Sequence, residues 1–426
     1  MFPRLFTLLC AVAFSCSAFA EALDPILAVD KLWSLKQDGF QAATKGLPFR
    51  WTSSAQDSAR AASTGMTLFE LPVYEVIARF DAGQLKLITA TFYARGDAGG
   101  IPKEKFDALV VSASEAITKF TGTKFTPRGK DATNAVRADG VTWQNTIAHY
   151  LLEYSFTREV KTRGIPFRAE FVRLEIGPPE AKLNLLASVA AKPKFTGPTH
   201  LKRDTATGDV WLFDVPMVDQ GQKGYCVVAS TERVMRYFGN PVDANELAQI
   251  ANSDAAAGTS LDSMNSALKK ISSRFKVRVR TLEQQDTKGV LGMIKDYNRA
   301  AKRLHETEIP DLGMRMDLGS IFHSMNYDVL KEARTKNPGD LTRFQRSVQT
   351  HIDLGIPLLW SVQLGMAPEA GIPQSAGGHM RLIIGYNTTK KEILYSDSWG
   401  AGHELKRMPA ADAWTITTGL TSVEPT

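Results

Sequence analysis

The chain has 426 residues, 43% hydrophobic and 23% charged, which excludes a disordered or fibrous protein and allows for two globular domains. Its formal charge of +6 comes without a basic patch interleaved with aromatics, which argues against nucleic acid as a partner. Beyond the first residues no stretch approaches the roughly 18 apolar residues of a membrane span, so no integral membrane segment is expected in the mature chain.

The N-terminus runs Met1-Phe2-Pro3-Arg4, then an apolar stretch from Leu5 to Phe14, then Ser17-Ala18-Phe19-Ala20. Small residues flanking Phe19 have the form of a secretory cleavage site, so residues 1–20 read as a signal peptide cut after Ala20. The mature protein is expected to be secreted or periplasmic. A lipoprotein reading through Ala13-Phe14-Ser15-Cys16 is the alternative, and the bulk of Phe14 counts against it. Of three cysteines, Cys10 and Cys16 leave with the leader. Cys226 then has no disulfide partner, and a lone thiol in an oxidising compartment points to reactive use.

Residues 21–185 read as an α+β N-terminal domain without a catalytic signature. Val73 to Phe80 alternates as a strand, Asp81-Ala82-Gly83 turns it, and Leu85 to Tyr93 returns. Pro102 opens a helix whose apolar stripe is Phe106, Leu109, Val110, Ala113, Ile117 and Phe120, and Gly122 closes it. Leu151 to Thr157 and Phe167 to Ile176 suggest a second strand pair. Residues 186–209, rich in Ala, Lys, Pro, Gly and Thr, read as a linker.

The second domain, residues 210–426, starts with helices and ends in strands, an α+β order. Val227 to Phe238 is helical, with Val227, Thr231, Val234 and Phe238 on one face and Gly239-Asn240-Pro241 as its stop. Glu246 to Ala251 and Leu261 to Ile271 follow as helices, the latter with Ser260 as a plausible N-cap. Arg274 to Leu282 alternates as a strand. Residues 286–350 read as a helical insertion whose length would let it cover a cleft. Pro357 to Leu364, Met380 to Asn387 and Glu392 to Ser396 are the expected strands.

Chemistry concentrates at Val218-Asp219-Gln220-Gly221-Gln222-Lys223-Gly224-Tyr225-Cys226. Cys226 opens the Val227 helix, where unpaired N–H groups and the positive end of the macrodipole favour a thiolate. The amide of Gln220 can donate the hydrogen bond that a developing oxyanion needs.

This segment resembles the nucleophile segment of papain-like cysteine peptidases, in which a glutamine six positions before the cysteine helps form the oxyanion hole. Lys223, Tyr225 and Val227 depart from papain itself, and the departures are more similar to the bacterial bacteriocin-processing (C39-like) branch. The resemblance implies a papain-like fold, with a helical half and an antiparallel sheet half, and a histidine oriented by Asn or Asp.

Gly377-Gly378-His379 places a histidine at the mouth of a strand, and Ser396-Asp397-Ser398-Trp399-Gly400 places a carboxylate at the end of the next. A turn centred on Thr388 would set His379 directly opposite Asp397. Asp397-Ser398-Trp399-Gly400 resembles the Asn-Ser-Trp-Gly signature of papain relatives, with the Asp that the bacteriocin-processing branch uses.

The implied roles are Cys226 as nucleophile, His379 as proton carrier and Asp397 as orienter of the ring. Gln220 and the Cys226 N–H would bind the oxyanion, and Trp399 would shield the His379–Asp397 pair. His403 and Gln222 are the nearest rivals, in the wrong order and at the wrong spacing. No His and Cys cluster has metal-ligand spacing, so neither metal nor cofactor is expected.

The expected activity is hydrolysis of a protein or peptide substrate. A cysteine acyltransferase or cell-wall amidase with the same triad, and a papain-like binding scaffold, are the alternatives. Cleavage specificity, oligomeric state and the choice between pro-region and recognition module for residues 21–185 stay open.

Overall fold

The computed structural model describes residues 21–128, 136–181, 195, 197–221, 224–240, 242, 244–253, 261–284, 286–310, 318–374 and 376–426. The expected leader, the Ser260 cap and the first part of the expected linker, 186–194, lie outside the described residues, as does Gln222. The architecture is α+β, with two eight-stranded sheets, each over its own apolar core.

The first sheet is antiparallel. Its strands are β1 (Phe49–Trp51), β2 (Ser58–Ala61), β3 (Glu75–Asp81), β4 (Gln84–Ala94), β5 (Thr126–Pro127), β6 (Asp139–Gln144), β7 (His149–Thr157) and β8 (Arg168–Gly177). They lie in the order β1-β2-β3-β4-β8-β7-β6-β5. The β3–β4 hairpin turns through Ala82 and Gly83, both at positive φ, the conformation that matches strand twist in a two-residue loop. Helix α1 (Lys103–Thr121) buries Phe106, Ala113 and Ile117 in this core and stops at the left-handed Gly122. Phe120, expected in the buried stripe, is exposed.

The second sheet contains β9 (Leu201–Asp204), β10 (Asp209–Leu212), β11 (Val277–Gln284), β12 (Leu358–Leu364), β13 (Gly377–Asn387), β14 (Glu392–Ser396), β15 (Lys406–Pro409) and β16 (Thr417–Pro425). The order is β9-β10-β13-β12-β16-β11, with β14 pairing β13 and β15. Around it lie helices α2 (Cys226–Tyr237), α3 (Ala244–Ile250), α4 (Leu261–Phe275), α5 (Thr287–Leu304), α6 (Leu318–His323), α7 (Tyr327–Thr335), α8 (Pro338–Asp353) and α9 (Ala410–Ile416).

Three expectations change. The later part of the 186–209 stretch is not a linker, because Leu201–Asp204 pairs with Asp209–Leu212 as the edge of the second sheet. Its turn residues belong to a hairpin. Of the 286–350 segment, α5, α6 and α7 form a small core of their own around Tyr297, Phe322 and Leu330. Helix α8 instead sends Phe344, Val348 and Ile352 into the main core, so the insertion ends before it. Finally, α4 runs through Arg274 and Phe275, so the strand expected from Arg274 begins at Val277.

The two halves touch through buried charge. Arg173 of β8 pairs with Glu153 of β7 at 2.7 Å and reaches Glu246 of α3 at 3.1 Å. Burial opposes ionisation of Glu153, yet Arg173 and Arg128 outweigh it and hold the carboxyl below its usual range. Glu175, buried beside Glu153, moves the other way.

Arg173→Leu leaves Glu153, Glu175 and Glu246 facing one another with less countercharge. It should lower stability by about 3–5 kcal/mol, measured as a fall in the urea midpoint at unchanged slope.

Candidate active site

Helix α2 begins at Cys226, a partly buried free thiol, and its Val228, Val234 and Met235 anchor it in the second core. The loop before it is pinned at several points. The Gln220 N–H donates to the Ser398 carbonyl at 2.8 Å, and the Ser398 hydroxyl donates to Gln220 Oε1 at 2.6 Å. In that arrangement Oε1 accepts and Nε2 is the donor end of the amide. Gly221 sits at a φ of 64°, a left-handed turn that glycine adopts without strain, and its N–H donates to Asp219 Oδ1.

His379 is the third residue of β13, and its imidazole is sealed from solvent. Its Nε2 lies 2.9 Å from Asp397 Oδ1. Trp399 stacks on the ring at a centroid distance of 4.2 Å and 7° between planes. The other nitrogen, Nδ1, is buried without a hydrogen bond of regular geometry. Burial disfavours the imidazolium, but the bond to Asp397 and the neighbouring Cys226 outweigh it, and the His379 pKa lies above its ordinary value. Burial pushes Asp397 upward, while His379 and Arg381 pull its carboxyl below the usual range, and the pull prevails.

The register of the hairpin differs from the expected one. A bulge between Ile383 and Gly385 and a longer turn pair Leu382 with Ser396. Carried one step further, that register sets Arg381 level with Asp397, and His379 level with Trp399. The offset from the expected pairing is two residues, so His379 and Asp397 keep a common face and meet diagonally.

Several participants carry no motif. Arg381 Nε donates to Asp397 Oδ1 at 3.0 Å, and its Nη1 donates to Glu369 Oε1 at 3.1 Å. Tyr395 donates to Glu369 Oε2 at 2.8 Å. Arg233, two turns along α2 from Cys226, donates from Nη1 to the Asp397 carbonyl at 2.9 Å, from Nη2 to Ser396 Oγ at 2.5 Å and from Nε to the Pro216 carbonyl at 2.8 Å. A sequence signal existed for Arg381, which shares the His379 face at a spacing of two. For Arg233 the signal was an arginine within an otherwise buried helix.

Residues of the first half reach the same loop. Arg60 bridges Glu75 at 2.9 Å and Asp219 at 3.7 Å. Tyr225, immediately before Cys226, packs its ring and hydroxyl where a side chain on Gly96 would stand.

His403 sits edge-on to Trp399 at 5.5 Å, and its carbonyl accepts from the Asp397 N–H. Burial and Lys406 lower its pKa. Among the described residues no three His, Cys, Asp or Glu side chains form a group that could hold a metal ion, and no helix is long and apolar enough to cross a membrane.

Residues 212–422 match the model of the Peptidase_C39 like family. This part of the chain is a C39-like domain. The C39-like domain thus spans Gln220, Cys226, His379 and Asp397 together with Arg233, Arg381 and Glu369, and the family points to a cysteine peptidase. No curated protein matches the chain.

The shifts give a pH signature that needs no substrate. His379 is raised, so stability from its charged form is full below about pH 6.5 and fades as pH rises through the folded pKa. Asp397 is lowered, so its contribution is full above about pH 3.9 and is lost as pH falls through the folded value. In an NMR titration the His379 Cε1–H should titrate above 6.5, and both Asp397→Asn and Cys226→Ala should bring it down.

Proposed function

We propose that the C39-like domain hydrolyses peptide bonds through Cys226, His379 and Asp397. The observation that carries this reading is the buried His379 ring, held by Asp397 through Nε2, with Nδ1 left for Cys226 at the start of α2. The Cys226 thiolate attacks the carbonyl carbon, forming a C–S bond and an oxyanion. The Gln220 amide and the Cys226 N–H donate to that oxyanion. Collapse expels the amine, which takes the Nδ1 proton of the His379 imidazolium, and a thioester remains. Water, deprotonated by neutral His379, attacks the thioester, and the thiolate leaves with the acid product.

Asp397 supports the imidazolium without accepting its proton, and Arg381 keeps Asp397 ionised. Trp399 covers the ring pair and strengthens its hydrogen bond by excluding water. Protein or peptide is the proposed substrate. Export follows from the leader pattern at residues 1–20, and the mature chain is proposed to begin at Glu21. Residues 21–185 are proposed as a module that bears on the site, through Arg60 and Gly96 against Asp219 and Tyr225.

A quenched-fluorescence peptide library on purified mature protein tests the activity, and Cys226→Ala should lower hydrolysis by at least about 10³-fold. Intact hydrolysis in that variant would refute the mechanism. The basic limb of kcat/KM, which reports loss of the His379 imidazolium, should lie above pH 6.5 and move down in Asp397→Asn, with partial activity kept because an amide oxygen can still accept from the ring. Gly96→Ala should lower kcat/KM by about tenfold or more, because a displacement of the Tyr225 loop by a fraction of an ångström misplaces the nucleophile.

A further inference from the structure

A cavity lies away from His379, on the side of the C39-like domain where α5, α7 and the start of α8 meet β11, α9 and β16. It is open to solvent and has a volume of about 550 Å³, within the range of small-molecule sites. Its walls combine the apolar surfaces of Met293, Ala333, Pro338 and Trp414 with the guanidinium of Arg334.

Arg334 is placed unusually for an arginine. Its guanidinium carbon stands 4.3 Å over the Trp414 ring, and the Trp414 indole N–H donates to the Arg334 carbonyl at 3.0 Å, so ring and cation are locked together. Nε is sealed from solvent without a partner, and Nη1 has only the Met293 sulfur at 3.8 Å. No carboxylate pairs with Arg334 among the described residues. The acidic groups that face the cavity are committed elsewhere. Glu283 and Asp340 are both held by Arg343, at 3.1 and 2.8 Å, and Asp296 by Arg299 at 3.0 Å. Lys336 also lines the cavity.

A half-buried guanidinium with no carboxylate in hydrogen-bond contact is under-paired, and an anion on the open side of the fork supplies that contact. Burial lowers the Arg334 pKa to about 10 despite Glu283 and Asp340, so the side chain stays charged at neutral pH. A planar guanidinium fits a carboxylate through two parallel hydrogen bonds, and the surrounding Met293, Pro338 and Trp414 surfaces suit an apolar body attached to it.

We propose that this cavity is a binding site for a carboxylate carried on a flat or bulky apolar group, with Arg334 as its anchor. The carboxylate can belong to a free organic acid or to the C-terminus of a peptide. The site is defined by its own residues and is independent of the peptidase reading.

Titration calorimetry on the mature protein tests it, with benzoate and N-acetyl-alanyl-phenylalanine as probes and benzamide as the neutral counterpart of benzoate. Benzoate should bind at least about tenfold more tightly than benzamide, and Arg334→Gln should remove that preference. Tighter binding of the dipeptide acid than of benzoate identifies a peptide C-terminus, and the reverse order identifies a free acid. Equal binding of benzoate and benzamide to the unaltered protein overturns the proposal, and that comparison does not depend on whether Arg334→Gln folds. Inorganic phosphate displacing benzoate at equal concentration also overturns it, since charge alone would then suffice. The readout is binding, so it stands whether or not Cys226 is a nucleophile.

Discussion

A single buried guanidinium ties the candidate site together. Arg233 leaves α2 two turns after Cys226 and delivers three hydrogen bonds, to Pro216 in the segment leading to Gln220, to Ser396 at the end of β14 and to the Asp397 backbone. Those are the approach to Gln220, the strand that leads to Asp397 and Asp397 itself, all fixed to the helix that Cys226 opens. Burial pushes its pKa down to about 10, far enough above neutrality that it keeps its charge. Two backbone carbonyls and a hydroxyl, rather than a carboxylate, receive it. A methionine of similar reach would fill the space, but would take away the donor that the Pro216 and Asp397 carbonyls share.

Around that anchor the charges alternate. Glu369 is negative, Arg381 positive, Asp397 negative and His379 is held toward its positive form. Each charge is stabilised by the next, which is how four ionisable groups share a largely dry interior. The chain of charges also separates two duties that a carboxylate on its own would have to combine. Arg381 keeps Asp397 ionised, so Asp397 can spend its interaction on the imidazole ring. Because Glu369 balances Arg381, the arginine does not simply compete with the imidazolium for Asp397.

Much of this was legible in the sequence where a local pattern dominates. The Cys226 helix, the β3–β4 hairpin, α1 and the histidine-bearing strand all follow from periodicity and punctuation by glycine and proline. The approach of His379 to Asp397 was legible from their strand positions, but the register was not. The bulge at Ile384 sits where Gly385 lies against Val210 and Trp211 of the neighbouring strand, and no local residue announces it. The edge hairpin at Leu201–Leu212 was hidden because an edge strand tolerates the charged and turn-forming residues that also make linkers. The positions of Arg233, Arg381 and Glu369 depend on contacts distant in the chain, which a one-dimensional pattern does not contain.

The seat of Tyr225 against Gly96 has a consequence for how this sequence can change over time. Position 96 lies in the first half of the chain and Tyr225 stands next to Cys226 in the second. A side chain gained at 96 takes the volume of the tyrosine ring, so it is tolerable only where position 225 has already become smaller. The two positions are therefore bound to vary together, and the identity of a residue in the first half carries a record of the shape required beside Cys226. Exchange of the first half between distant versions of this chain would succeed or fail on that match of volumes before any question of substrate arose.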